Sequence, residues 1–72
     1  MFVLKFISGS TEGTYVKNYI LTEHFCILRN GKLIEALRFD TIEDAESLLG
    51  KIRKIYRRDD IEVKEVTCYE VE

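Results

Sequence analysis

Residues 41–60 have the sequence TIEDAESLLGKIRKIYRRDD, and they decide the fold because the spacing of the apolar residues changes here. Apolar side chains recur every three or four positions, which is the spacing of one stripe on an amphipathic helix. The stripe positions are Ile42, Ala45, Leu48, Leu49, Ile52, Ile55 and Tyr56. Thr41 is a suitable N-cap, with Asp44 three positions later. The stretch therefore predicts one helix over residues 42–57, which ends before Asp59 and Asp60.

Gly50 lies in the middle of this predicted helix. Glycine in a helix interior costs about 1 kcal/mol relative to alanine, so Gly50 could instead end one short helix before a second begins. The apolar stripe stays in phase across Gly50, and this favours a single helix. Such a helix needs a sheet to cover its apolar stripe.

The residues before the helix form short segments rich in β-branched and aromatic side chains, separated by turn signals. Strands are predicted over residues 2–8, 14–20, 24–28 and 33–39. The loop GSTEG at 9–13 has a glycine at each end and suits a hairpin. Asn30-Gly31 is the strongest hairpin signal, because a type I′ turn needs positive φ at both central residues.

A last strand is predicted over residues 61–71, with a bulge between Val63 and Val66 where the alternation slips. The predicted order is β-β-β-β-α-β, a single α+β domain over residues 1–72 with one helix on one face of a mainly antiparallel sheet. The strands are apolar on both faces. The second face should therefore either be covered by coiling of the sheet or meet a partner.

The composition is that of a globular domain. With 46% hydrophobic residues the chain is too apolar for disorder, and its net charge of -2 differs from that of a typical basic nucleic-acid binder. The apolar run at the start is interrupted by Lys5 and is too short for a secretion signal or a membrane span. We therefore expect a cytoplasmic protein without membrane contact, in which Cys26 and Cys68 are reduced.

Few residues offer catalytic or metal-binding chemistry. His24 and Cys26 are two positions apart in a predicted strand and should share a face, but a Cys–His nucleophile also needs an orienting group and an oxyanion site. His24, Cys26 and Cys68 lack the spacing of a zinc site. The GSTEGT segment lacks the Gly-Lys-Ser/Thr of a phosphate-binding loop. We expect no enzymatic activity, no cofactor and no metal.

The basic end of the helix is the strongest candidate for a contact surface. Lys51, Lys54 and Arg58 form one ridge opposite the apolar stripe, with Arg53 and Arg57 beside it. The helix dipole favours acids at the start and bases at the end of a helix, which explains the cluster without a ligand. However, no acid three or four positions away in the helix faces these bases. Their charge must be neutralised by another part of the chain or by a partner.

These features predict a non-enzymatic protein-binding module. The primary contact residues are Lys51, Lys54, Arg57 and Arg58, here called the basic ridge. We expect the ridge to meet an acidic patch of a protein partner. Tyr15 and Tyr19, predicted on one face of a strand, form the second candidate surface. The alternatives are a small nucleic-acid-binding protein that uses the same basic helix end, and a structural homodimer.

The run EALRFDTIEDAESLL at 35–49, with TYVKN at 14–18 upstream, resembles small, mostly uncharacterised proteins encoded by phages and prophages of Gram-positive bacteria. The resemblance covers residues 1–50 and brings no catalytic residues with it. It implies a protein that binds and blocks a host protein, such as a defence nuclease. An inhibitor that serves host takeover or anti-defence is therefore expected from the resemblance.

Overall fold

The computed structural model describes residues 1–55 and 59–66. The elements in chain order are β1 (Phe2–Phe6), a 3₁₀ helix (Gly9–Thr11), β2 (Tyr15–Leu21), β3 (Cys26–Gly31), a second 3₁₀ helix (Leu33–Glu35), α1 (Ile42–Ile55) and β4 (Ile61–Glu65). The strands form one antiparallel sheet in the order β3-β2-β1-β4. The predicted α+β class and the place of the helix in the chain are confirmed.

β1 is an inner strand, and β2, β4 and α1 all contact it. It pairs with β4 along its whole length, from Phe2 opposite Glu65 to Phe6 opposite Ile61. Its pairing with β2 is short and centres on Lys5 opposite Tyr15. The neighbours of β1 therefore hold it from both edges, and α1 covers one of its faces.

The type I′ turn predicted at Asn30-Gly31 is wrong. Both residues lie in β3, and within the described ranges positive φ occurs only at the two glycines of the GSTEG loop. The β2–β3 hairpin closes instead at Thr22 and Phe25. The Thr22 N–H donates to the Phe25 carbonyl at 2.9 Å, and the Phe25 N–H donates to Thr22 Oγ1 at 3.1 Å. The threonine hydroxyl oxygen accepts this hydrogen bond in place of a backbone carbonyl, so the loop closes without a glycine.

The predicted strand at 33–39 is also wrong. Its first three residues form the second 3₁₀ helix, and the chain is extended only after them. Leu37 N–H donates to the Val16 carbonyl at 3.0 Å, and Phe39 exchanges two backbone hydrogen bonds with Phe2, at 2.8 and 2.9 Å. The segment thus lies between β1 and β2 where these two strands separate, and it adds a single bridge to the sheet.

The helix prediction is confirmed at its start and through its middle. Asp44 N–H donates to Thr41 Oγ1 at 3.2 Å, so Thr41 is the N-cap, and α1 continues through Gly50. The predicted helix end at 57 lies outside the described residues. The buried stripe residues are Ala45, Leu48, Leu49 and Ile52. They form the core together with Leu4, Phe6, Val16, Cys26 and Ile61.

The sheet is irregular in β2 and not in β4. β4 pairs with β1 residue by residue, and Val66 N–H continues the ladder with a bond to the Met1 carbonyl, so the predicted bulge between Val63 and Val66 is wrong. The predicted continuation of the strand over 67–71 lies outside the described residues. The register shift occurs between Val16 and Asn18 instead. An extra residue in β2 changes which face the following side chains occupy.

Glu35 closes the second 3₁₀ helix. Its Oε1 accepts the Lys32 N–H at 3.0 Å, and its Oε2 lies 3.8 Å from Lys17 Nζ. The backbone hydrogen bond from Lys32, and secondarily the charge of Lys17, hold the pKa of Glu35 below its usual value. The ionised carboxylate is therefore the form that the fold favours.

We expect Glu35→Gln to lower the free energy of unfolding at neutral pH and to lose this effect in acid. The pKa of Glu35 is lower in the folded state than in the unfolded state, so the carboxylate stabilises the fold at pH values above the unfolded-state pKa. This stabilisation is lost as the pH falls through the folded-state pKa. Urea unfolding of the wild type and the variant across this range measures it, with Glu23→Gln in the exposed hairpin loop as control. If Glu35→Gln were less stable than the wild type by the same amount at every pH, the ionised carboxylate would not be the stabilising form.

Candidate protein-interaction surfaces

The basic ridge is partly visible in the structure. Lys51 and Lys54 are exposed on α1, away from the buried stripe, and no described carboxylate lies within ion-pairing distance of either. Arg57 and Arg58 lie outside the described residues. Arg53, by contrast, is directed toward β4, where its Nη2 donates to the Ile61 carbonyl at 3.2 Å. The described ridge thus offers two lysine ammonium groups to an acidic partner.

The two tyrosines do not form one surface. The register shift at Lys17 places them on opposite faces of the sheet, which corrects the prediction that they share a face. Tyr15 is paired with Lys5 on the face away from α1, and Lys5 Nζ lies 5.8 Å from the centre of its ring. Tyr19 is paired with Leu28, which packs against the core. Tyr15 is half-buried with a cation–π partner of its own, so Tyr19 is the more available of the two.

The β2–β3 hairpin exposes large apolar side chains. Ile20 and Ile27 are direct cross-strand partners on the face away from α1, and they remain 52% and 47% exposed. Phe25, in the loop of the same hairpin, is 42% exposed. We call Ile20, Ile27 and Phe25 the hairpin patch; Tyr19, 41% exposed, lies on the opposite face and is not part of it. Ile20 and Ile27 lie on the sheet face opposite the one that α1 packs on, so the helix does not cover them.

The second face of the sheet is covered in one region and open in another. Val3 points away from α1 and is completely buried, although it is not part of the core beneath the helix. Ala36, in the segment after the second 3₁₀ helix, is also buried outside that core. Because Val3 has no exposed surface, part of this face is covered by the chain itself. The open region is the one at Ile20 and Ile27.

His24 and Cys26 do not form a pair. The predicted strand at 24–28 begins only at Cys26, and His24 is exposed in the hairpin loop, where its N–H donates to Thr22 Oγ1 at 3.2 Å. Cys26 is buried in the core. Cys68 lies outside the described residues. Within the described ranges, no three side chains of the metal-ligating types converge on one point.

Comparison with protein-family models, with curated proteins and with solved structures finds no match. In the part of the chain that the structure describes, no helix has the length and apolar character needed to cross a bilayer. The surfaces described above are therefore the basis for a functional assignment.

Proposed function

We propose that this protein is a non-enzymatic protein-binding module that uses the hairpin patch as its principal contact surface. The supporting observation is the exposure of Ile20 and Ile27 as one cross-strand pair. A small domain gains roughly 25 cal/mol for each Å² of apolar surface it buries, so its fold benefits from covering such side chains. Adjacent isoleucines left in solvent are better explained by contact with another molecule.

The basic ridge is the second contact surface in this proposal. Lys51 and Lys54 have no described carboxylate partner, and exposed charges of one sign speed association with a partner of the opposite charge. The resemblance to phage-encoded proteins favours a host protein as the partner and inhibition or modulation as the result. The proposed site of action is the cytoplasm.

Affinity capture from a lysate of Gram-positive bacteria tests the proposal. The wild type is compared with Ile20→Thr/Ile27→Thr, with Lys51→Glu/Lys54→Glu, and with Ile34→Thr as a matched control, since Ile34 is 62% exposed outside the patch. We expect a discrete protein in the wild-type and control eluates after nuclease treatment. The patch variant should retain at least about tenfold less of it, because each lost contact of roughly 1.4 kcal/mol is tenfold in affinity.

The ridge variant should show a smaller loss that depends on salt, since exposed charges are screened. If the patch variant retained the same protein as fully as the wild type, the hairpin patch would not be the contact surface. If only the ridge variant lost it, the ridge would replace the patch in the proposal.

Nucleic-acid binding is the second candidate, and one feature of the sheet favours it. Lys5, Arg29 and Lys64 lie on the face away from α1, with Tyr15 between Lys5 and β3. Basic side chains around an aromatic ring can hold a single strand. Glu62 lies opposite Lys5 on the same face and opposes this role. A gel shift with a random single-stranded oligonucleotide at low salt, lost steeply as salt rises, would support this candidate over protein binding.

A further inference from the structure

A groove of about 400 Å³ lies between α1 and the outer edge of β4. Its lining residues are Ile42, Glu46, Leu49, Gly50, Arg53, Glu62 and Val63. The helical members recur every three or four positions, so they form one continuous side of α1. From Ile42 to Arg53 this side is roughly 16 Å long at 1.5 Å per residue. An extended segment of about five residues covers that length.

The outer edge of β4 presents backbone hydrogen-bonding groups beside this groove. The Asp60 carbonyl accepts the N–H of Ile7, the residue after β1, at 2.8 Å, so every second residue from Asp60 points its backbone groups toward β1. The backbone groups of Val63 and Glu65 therefore point outward. No residue in the described ranges bonds to them. Such an edge is a template for an added strand.

One end of this edge is already occupied. The Ile61 carbonyl, which also points outward, accepts a hydrogen bond from Arg53 Nη2 at 3.2 Å. A strand added to β4 would therefore pair from Val63 onward. The arginine marks one end of the edge that the described residues leave unpaired.

Gly50 widens the groove at its middle. A Cβ at this position would have no atom within 4 Å, so nothing in the described part of the chain requires a glycine there. Alanine would stabilise the helix by about 1 kcal/mol. A ligand that packs close to the helix backbone would account for glycine at position 50, which the fold itself does not require.

The groove has an apolar floor and an acidic rim. Glu46 lines it on α1, and Glu65 lies two residues beyond Val63 on the same face of β4; Glu62 also lines the groove, although its side chain lies on the face away from α1. Arg53 is the cationic residue of the lining. The apolar lining residues are Ile42, Leu49 and Val63. Ile42 is 40% exposed, although it belongs to the helix stripe. This lining complements a segment that carries both apolar and basic side chains.

We propose that the groove binds an extended basic segment of a partner protein, which adds a strand to the outer edge of β4. The segment pairs its backbone with Val63 and Glu65 and places alternate apolar side chains over Leu49 and Gly50. Its lysine or arginine side chains meet the carboxylates of the rim. This inference rests on the protein-binding function proposed above and names the chemistry of one partner segment, which binds apart from the hairpin patch.

Two synthetic seven-residue peptides test the groove, one alternating lysine with valine and one alternating glutamate with valine, both blocked at their ends. Fluorescence anisotropy measures binding to the full chain, and NMR chemical shifts of the Val63 and Glu65 amides report its location. We expect the lysine peptide to bind at least about tenfold more tightly than the glutamate peptide. It should shift both amides. Equal binding of the two peptides would overturn the proposal.

Gly50→Leu provides the matching variant. Leucine is a better helix former than glycine, and its Cβ would have no atom within 4 Å, so the variant should be at least as stable as the wild type. Its side chain fills the groove, and peptide affinity should fall at least about tenfold. Ser47→Leu, exposed on α1 outside the groove lining, is the control and should bind as the wild type does. Unchanged affinity of Gly50→Leu would overturn the proposal.

A second variant tests the groove independently of whether Gly50→Leu folds. Glu46→Lys/Glu65→Lys reverses the charge of the rim at exposed positions and should weaken binding of the lysine peptide by a similar factor. If the wild type failed to bind the lysine peptide while protein capture remained intact and patch-dependent, the groove proposal alone would be refuted. Peptide binding without any effect of the hairpin patch on capture would instead refute the patch as the principal surface.

Discussion

Ile52→Ala is expected to remove roughly half of the stability of the protein. Ile52 is completely buried in the core between α1 and the sheet, so truncation leaves a cavity that costs about 2–5 kcal/mol. At about 0.05–0.15 kcal/mol per residue, a domain of this length has a total of roughly 4–11 kcal/mol, and small domains lie at the low end. Urea unfolding followed by far-UV circular dichroism measures the loss.

Lys51→Ala is the control for this prediction. It removes an exposed side chain from the adjacent position of the same helix and should change the free energy of unfolding by no more than about 0.5 kcal/mol. If the two variants were equally stable, α1 would not pack on the sheet through the side that contains Ile52.

Val3→Asp is expected to be more damaging still and to leave little folded protein. Val3 has no exposed surface, although it points away from α1. A carboxylate there would lose its hydration, and this cost can exceed the attraction to a cation even with Lys64 opposite Val3 on the same face. Circular dichroism and the dispersion of the NMR amide signals would show the loss of fold.

Ile20→Asp is the matched variant on the same face of the sheet. Ile20 is 52% exposed, so its substitution should cost only about 1 kcal/mol, the range of strand propensities. A folded Val3→Asp would show that the second face is open throughout. An unfolded Ile20→Asp would show that the hairpin patch serves the fold and not a partner.

The helix could be predicted from the sequence because local signals agreed with one another. Its stripe has a single period, Thr41 supplies the cap, and Gly50 does not interrupt the phase. Five stripe residues pack as predicted, namely Ala45, Leu48, Leu49, Ile52 and Ile55. Ile42 lies half-exposed at the groove, and Tyr56 lies outside the described residues. A helix contains its own backbone hydrogen bonds, so its position in the chain depends little on distant residues.

The strands were predicted less well because their partners are distant in sequence. Asn30-Gly31 has the composition of a tight turn, yet pairing of β3 with β2 holds both residues in an extended conformation. The segment 33–39 has β-like composition, but it lies where β1 and β2 separate and finds partners for only part of its backbone. The amino-acid composition of a segment does not show which strand edges of the folded sheet are available to pair with it.

The candidate surfaces were predicted only where helix geometry was sufficient. The basic ridge follows from the period of α1, and Lys51 and Lys54 are exposed as expected. The hairpin patch was missed because a one-residue shift within β2 moves Tyr15 and Tyr19 to opposite faces and brings Ile20 to the exposed side. The α1–β4 groove was missed because it depends on β4 being an edge strand, which is a property of the sheet order.

Site-specific photocrosslinking tests the central claim most directly. Benzoylphenylalanine is placed at Ile27 in the hairpin patch, at Lys54 in the basic ridge, or at Ser10 in the exposed GSTEG loop, and cells that produce each protein are irradiated. The account predicts one discrete protein adduct at position 27, heavier than two copies of this chain, and none at position 10. No adduct at 27, an adduct of two copies of the chain, or one removed by nuclease would contradict it.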